Sequence, residues 1–271
     1  MKNLRYTLLY IIATLFCLQG YAQADSLRRH STLYGFGAGN VFDSYLSPYS
    51  YKGIEARINR QTERYTKLCG GRVSYQTMID ANASYLKNPA KNVKEYAGGI
   101  RYSNAWLYHF PALNGRLWRK GHFQYMVGPQ VSFYAGCVYN DRNGNNPAQA
   151  KVDLMIDLAA QATYSFRVCR RSWQLRYNLS VPFVGLAFSP QYGQSYYEMF
   201  ELRDYDHNCV FANVVNMPSM RHLLTVDIPV GHNLLRVGYA GEFMQSRFNG
   251  LRYHAYSHNF MIGFTKYFVR K

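Results

Sequence analysis

A short polar segment, DYDHN at residues 204–208, carries residue types that could perform chemistry. Asp204, Asp206 and His207 place two carboxylates beside an imidazole, a set that can activate water or hold a metal ion. The same residues also suit an ordinary polar turn, because Asp and Asn side chains hydrogen-bond to their own backbone. The segment is a candidate catalytic site with a structural alternative, and no metal or other cofactor is predicted.

Other chemical motifs are incomplete. A serine esterase would need a Ser, a His and an acid brought together; His232, His254 and His258 are available, but there is no G-x-S-x-G sequence. GFGAGN at 35–40 lacks the GK[ST] ending of a phosphate loop. It is interpreted as a strand whose glycines allow bending or close packing. DRNGNN at 141–146 lacks the acidic twelfth position of a calcium loop and is interpreted as a turn.

The beginning of the chain predicts export. Lys2 and Arg5 precede an apolar stretch over 6–18, and the small residues Gly20, Ala22 and Ala24 follow. This order is typical of a secretory signal peptide, and the apolar stretch is short for a membrane-spanning helix, which needs about 20 residues. We predict a cleaved signal peptide over 1–24 and a single domain over 25–271.

The charge balance is strongly basic. The chain has 31 Lys+Arg against 15 Asp+Glu, a formal net charge of +16, and a mean hydropathy of -0.31. Such a charge can indicate nucleic acid, but an exported chain without a nucleic-acid motif does not meet it. We therefore interpret the charge as a preference for anionic lipid or for one side of a membrane.

Four cysteines follow the predicted signal peptide, with no C-x-x-C spacing to indicate zinc. A pair between Cys137 and Cys209 and four free thiols both remain open.

Strict alternation of apolar and polar residues recurs along the chain. Over 150–168 every second residue is apolar, which a helical period of 3.6 cannot produce. Ten such segments are predicted as strands: about 31–40, 51–62, 67–79, 95–108, 121–139, 150–169, 172–188, 221–230, 233–246 and 254–270.

The links between these strands alternate between mostly longer and shorter. With an even number of long strands, this pattern predicts an all-β fold, an antiparallel transmembrane β-barrel with short periplasmic turns and longer extracellular loops. Residues 200–215 could add two strands and make twelve, or form an extracellular hairpin. A soluble β-sandwich or lipocalin-like barrel is the alternative to a membrane barrel.

Two segments carry a family resemblance. HNFMIGFTKYFVRK at the end of the chain resembles the aromatic closing strand of outer-membrane barrels. GAGNVFDSYLSPYSYKG at 37–53 resembles an uncharacterised Bacteroidota outer-membrane family, a domain of unknown function. The likeness is carried by the loop motif Asp43, Ser44, Tyr45, Leu46, Ser47 and Pro48. The resemblance implies an outer-membrane location, and it gives no catalytic residue that could be assigned to this chain. The motif is expected to close the first hairpin, and a ligand contact through Tyr45 is the alternative.

If the apolar rows face lipid, the other rows face the lumen, because an Arg or Lys facing mid-membrane lipid costs about 2–4 kcal/mol. The predicted lumen charges are Glu55, Arg57, Arg72, Arg101, Asp153, Asp157, Arg167, Arg176, Asp227, Arg236 and Glu242. Near balance of acids and bases predicts ion pairs that fill the tube. The direction of the strands places Glu55, Asp153 and Glu242 toward the mouth, and it places toward the floor Arg72, Arg167, Arg176, Asp227 and Arg236. A barrel of ten or twelve strands is expected to be plugged or to hold a very narrow pore.

These observations favour a non-catalytic structural or binding protein of the outer membrane with a plugged lumen. The first alternative is a hydrolase at the barrel mouth, directed at lipid or peptide, that uses Asp153, Glu242, Asp204 or Asp206 with His207. The second is a narrow pore. The expected partners are outer-membrane lipid and, during biogenesis, the barrel-assembly machinery; nucleic acid is not expected.

Overall fold

The computed structural model describes residues 28–110, 121–144, 146–168, 170–231 and 233–268. The predicted signal peptide over 1–24 lies outside these residues, as do His232 and Cys169. The described residues form eleven strands, and ten of them are long. Their bounds are β1 Arg28–Asp43, β2 Ser50–Tyr65, β3 Val73–Lys87, β4 Lys94–His109, β5 His122–Asn140, β6 Ala148–Val168, β7 Arg171–Phe188, β8 Cys209–Asn213, β9 Met220–Val230, β10 Asn233–Phe248 and β11 Leu251–Phe268.

The ten long strands close into an antiparallel barrel. Each pairs with its neighbour in the chain, β7 pairs with both β6 and β9, and β1 closes the ring by pairing with β11. The short β8 pairs with Val184–Phe188 of β7, and β9 pairs with residues 174–180 of the same strand. The ten-strand prediction is confirmed. The twelve-strand alternative is wrong, because residues 200–215 contribute only β8 to the sheet.

The two ends of the barrel differ in their connections. One, the long-loop end, carries the links 44–49, 88–93, 141–147 and 189–219, and the last of these includes the short helix α1, Tyr196–Phe200. The other, called the short-turn end after the two-residue links between β6 and β7 and between β9 and β10, is also where 66–72 join β2 to β3, where β4 ends and where β5 begins. The link between β10 and β11, which the sequence predicts to be longer, is a tight turn at Asn249 and Gly250, both with positive φ, as a type I′ hairpin requires.

The barrel wall is apolar outside and polar inside. On β6, Ile156 and Leu158 are 50% and 56% exposed, whereas Asp153 and Asp157 are buried. A soluble sandwich or lipocalin-like barrel would bury the apolar row instead, so that alternative is wrong. In the described residues no helix is long and apolar enough to cross a membrane.

Glycine permits close contact where β1 meets β11. A β-carbon on Gly37 would lie 1.8 Å from the carbonyl oxygen of His258, and one on Gly35 would lie 2.3 Å from the sulfur of Met261. A larger residue at position 37 would push the strands apart, whereas one at position 35 would displace the Met261 side chain. The Gly37 contact supports the interpretation of GFGAGN as a strand that needs close packing.

Candidate functional site

The barrel interior is the most elaborate arrangement of polar groups in the described chain, and it is built in layers. Below the long-loop end lies an upper charged network centred on Arg57 of β2. Its guanidinium lies 2.7 Å from Asp80 of β3 and 2.5 Å from Glu242 of β10, and it donates to the Ser257 hydroxyl at 3.0 Å. Because these partners come from three other strands, the network ties opposite walls together.

The same network continues toward β4, β6 and β9. Arg101 lies 3.3 Å from Asp153 and 3.6 Å from Glu242, and its guanidinium stands 4.5 Å from the ring centroid of Tyr134. Arg221 pairs with Asp157. Nearby, Glu55 accepts hydrogen bonds from Asn259 at 2.7 Å and Ser84 at 3.0 Å, and Gln130 donates to Asp157 at 2.7 Å.

A lower charged network lies near the short-turn end. Asp227 accepts two hydrogen bonds from Arg236, at 2.6 and 2.9 Å, and also pairs with Arg29. Glu63 lies 2.6 Å from Arg176 and 3.8 Å from Arg29. These five side chains come from β1, β2, β7, β9 and β10, so they connect strands on several sides of the lumen.

Apolar side chains pack between and above the two networks. Leu33, Leu223, Ala240 and Met261 form one buried cluster, and Ala105, Leu107, Met126 and Ala159 form a second. A third and larger cluster, the cap, packs at the long-loop end. Its buried members are Val41, Leu46, Tyr51, Leu86, Tyr134, Val138, Met155, Ala187, Ala212, Met217, Met244, Phe248 and Tyr253.

A half-buried lysine lies beside the cap. The Lys151 ammonium is 2.9 Å from Asp43 and 4.0 Å from the centroid of the Tyr253 ring. Asp43 begins the DSYLSP segment, in which its main-chain carbonyl accepts from Ser47 at 2.9 Å and Leu46 packs into the cap. The Tyr45 hydroxyl donates to the Gln194 carbonyl at 2.9 Å. The segment therefore closes the β1–β2 hairpin and contacts the long loop through Tyr45.

Little free volume remains among these layers. Three cavities bounded by the described interior residues measure about 30, 30 and 60 Å³. Each holds at most a few water molecules. Among the residues that line the largest of these three cavities, Asn59 Oδ1 and Asn178 Nδ2 are buried and have no hydrogen-bond partner in the described protein. Water is the partner that such atoms ordinarily find.

Two of the predicted lumen residues lie elsewhere. Arg72 is exposed in the turn before β3, and Arg167 is exposed near the end of β6. Both are correctly spaced for the inward row, but they lie past the lower network, where a long side chain reaches solvent. The other nine predicted charges lie inside the barrel: Glu55, Arg57, Arg101, Asp153, Asp157, Arg176, Asp227, Arg236 and Glu242.

The sequence interpretation missed four charged residues of the networks. Arg29 and Glu63 lie just outside the predicted bounds of β1 and β2, Asp80 lies one residue past the predicted β3, and Arg221 is the first residue of its predicted strand. The alternation could have found them, because each lies an even number of residues from the inward-facing residues of its strand.

The DYDHN segment lies on the surface. His207 Nδ1 is 2.8 Å from Asp206 Oδ2, both side chains are more than 70% exposed, and Asp204 accepts from the Asp206 backbone at 3.3 Å. Asp153 and Glu242 are held by arginines inside the barrel. The structure therefore does not bring the proposed hydrolase groups together, and the described residues contain no cluster of three or more potential metal ligands.

The remaining candidate groups lie on the outer wall. His258 contacts the Tyr239 hydroxyl, and the His254 ring stacks on Tyr256 at 4.6 Å between centroids. Cys137 and Cys209 are both free and exposed, as is Cys69, so the alternative in which Cys137 and Cys209 pair is wrong.

The long loop over 189–219 is held by side-chain hydrogen bonds. Ser195 starts α1 with a capping box, in which Glu198 accepts from the Ser195 backbone at 2.6 Å and from its hydroxyl at 3.0 Å. These bonds lower the pKa of the exposed Glu198 carboxyl. Asn208 donates to Gln194 at 2.7 Å, and Asn249 donates to the His207 carbonyl at 2.9 Å.

The closed ten-stranded wall, apolar outside and polar inside, defines the class of the protein as an outer-membrane-type β-barrel. A family model, the DUF3316 proteins of unknown function, matches residues 6–271, and the chain belongs to this family. No curated protein sequence matches the chain.

Solved structures similar in fold are barrels of bacterial outer membranes. The outer membrane protease OmpT from Escherichia coli matches with a TM-score of 0.49 and 11% identity, covering 91% of this chain and 98% of the other. The translocator domain of the autotransporter NalP from Neisseria meningitidis matches with a TM-score of 0.37 and 10% identity, covering 98% and 97%. At these identities the likeness concerns the fold alone.

Proposed function

We propose that this protein is a non-catalytic barrel of the outer membrane whose lumen is plugged and which acts through its surface loops. The observation that carries the proposal is the filled interior, in which two charged networks alternate with apolar clusters. Side chains from facing walls bind one another, so little of the lumen is left for a solute. An interior of this kind suits a rigid scaffold.

The long loop supplies the surface through which such a scaffold can bind. Met199 anchors α1, being only 1% exposed, whereas Tyr192, Tyr197 and Phe200 are 79%, 65% and 63% exposed. Aromatic side chains on a rigid base can contribute large contact area at low entropic cost. This favours binding over catalysis, since the Asp206–His207 pair is exposed to solvent and lies apart from the buried carboxylates.

The location rests on the fold and on the start of the sequence. We propose that residues 1–24 are a cleaved signal peptide, that the barrel-assembly machinery inserts residues 25–271, and that the long-loop end faces outward. A Bacteroidota origin and a family role for the DSYLSP segment are proposed on the resemblance at residues 37–53.

Two measurements on one preparation test this function. The protein, extracted from outer membrane in mild detergent, should migrate faster on a gel when unboiled than when boiled, because a closed barrel stays compact. In planar bilayers the same material should give no conductance steps, with a general porin as the positive control. Release without detergent would contradict the location, and regular conductance steps from the heat-modifiable form would contradict the plugged lumen in favour of the narrow pore.

A further inference from the structure

Three lysines lie side by side on the outer wall at the long-loop end. Lys52 on β2 is directly opposite Lys87 on β3, and Lys87 is directly opposite Lys94 on β4. All three are exposed and belong to the outward rows of their strands. We call them the lysine row.

The lysine row is unfavourable by itself. Residues directly opposite in an antiparallel pair lie about 5 Å apart, and like charges at such positions destabilise the sheet. In the described structure the three ammonium groups form no ion pair, and Asp141 accepts a hydrogen bond at 3.0 Å from the Lys94 backbone N–H. An anion bound across the row would relieve this repulsion.

A row of tyrosines lies directly below. Tyr85, Tyr96 and Tyr139 occupy the next outward positions toward the barrel middle, and successive ring centroids are 5.6 and 6.4 Å apart. Tyr96 and Tyr139 are 45% and 44% exposed. Tyrosine belts mark the boundary between hydrocarbon and headgroups, so the lysine row lies at headgroup level.

We infer that the lysine row binds the phosphate of a lipid A-type glycolipid in the outer leaflet, with the tyrosine rings against its sugar and upper acyl chains. This inference rests on the proposed location and on the long-loop end facing outward, where phosphorylated glycolipid forms the leaflet. Each ammonium offers three donors, and three neighbouring strands provide a contact about 10 Å wide, which suits a phosphate on a disaccharide headgroup.

The test is native mass spectrometry of the full barrel in mild detergent with added lipid A. Replacing the lysine row with glutamine, K52Q/K87Q/K94Q, should lower the fraction of protein carrying lipid A at least tenfold. The matched control R60Q/K67Q/K266Q removes the same charge from exposed positions at the short-turn end and should change that fraction less than twofold. Each variant is first shown to be heat-modifiable, and single K87Q replaces the triple variant if the triple fails to fold.

Each outcome decides the inference. It is supported if lipid A adducts depend on the lysine row and exceed those of both dephosphorylated lipid A and phosphatidylglycerol. It is overturned if both variants lose lipid A equally, if dephosphorylated lipid A binds as well, or if phosphatidylglycerol binds as strongly. The proposed membrane location is tested separately by whether the wild-type protein inserts into vesicles that lack lipid A. The two tests are independent, because binding of lipid A in detergent does not require insertion into a bilayer.

Discussion

At the scale of single residues, the interior is held together by charged side chains that have few other groups with which to pair. Arg57 contacts the carboxylates of Glu55, Asp80 and Glu242, and Arg236 is only 1% exposed while it donates twice to Asp227. A buried ion pair adds little stability over an apolar pair of equal volume, but removing one partner leaves a charge that neither water nor protein compensates. The individual arginines should therefore be hard to replace singly.

Arg57→Met should lower the free energy of unfolding by about 3–5 kcal/mol, the usual cost of breaking a buried pair. The reason is that Asp80 and Glu242 lose their shared partner. The measurement is the urea midpoint of the barrel in lipid vesicles. Arg60→Met, three positions along β2 and exposed, is the control and should cost less than about 1 kcal/mol. R57M/D80N/E242Q should regain part of the loss, and equal midpoints for R57M and R60M would show that the upper network contributes no stability.

At the scale of elements, the alternation determined which side of each strand faces inward, whereas the strand ends were less well predicted. Polar residues stopped the predicted strands early: Arg29 and Glu63 lie at the ends of β1 and β2, whereas Asp80 lies in the middle of β3, and the structure continues all three strands with the same alternation. Alternation reports two faces only where one face is apolar. Beyond the hydrocarbon region both faces of a strand are polar, so the alternation ends before the strand ends.

The conformation of the long loop could not be predicted in the same way, because it depends on contacts between residues that are distant in sequence. Asn249 binds the His207 carbonyl, and the Tyr45 hydroxyl binds the Gln194 carbonyl. The capping box of α1 is its one local signal: Ser195 followed three residues later by Glu198.

Ser195→Ala should loosen α1 by about 1 kcal/mol, the typical value of an N-cap serine. Deuterium uptake over 195–203 should rise about fivefold, while Ser195→Thr should keep the wild-type rate. Since the folded-state pKa of Glu198 is lowered, its contribution is present above the ordinary carboxyl pKa and is lost as pH falls through the lowered value. After correction for intrinsic exchange, acid should speed uptake in the wild type but not in Glu198→Gln. Unchanged uptake in Ser195→Ala would mean that Met199 and the neighbouring loops hold α1 without the cap.

At the scale of the whole molecule, the interior is acidic although the chain is basic. Nine of the 15 acidic residues lie inside the barrel: Asp43, Glu55, Glu63, Asp80, Glu95, Asp153, Asp157, Asp227 and Glu242. Six buried arginines and Lys151 accompany them. Since the described lumen holds nine acids against seven bases, the positive surplus of the chain does not lie in the described lumen. That this surplus prefers anionic lipid stays a prediction, and the orientation of the barrel decides which leaflet each exposed basic group would contact.

Native cysteines at opposite ends report that orientation. Cys69 lies in the turn between β2 and β3 at the short-turn end, Cys209 begins β8 at the long-loop end, and both are exposed and free. In variants whose single remaining cysteine is Cys69 or Cys209, with Cys137 and Cys169 replaced by serine, a membrane-impermeant maleimide added to intact cells should label Cys209 and leave Cys69 unlabelled until lysis. Equal labelling of both variants in detergent extracts is the control for thiol reactivity. The reverse result on intact cells would mean that the long-loop end faces the periplasm. The lysine row would then lie in the periplasmic leaflet, and the exposed aromatic residues of the long loop would bind a periplasmic partner.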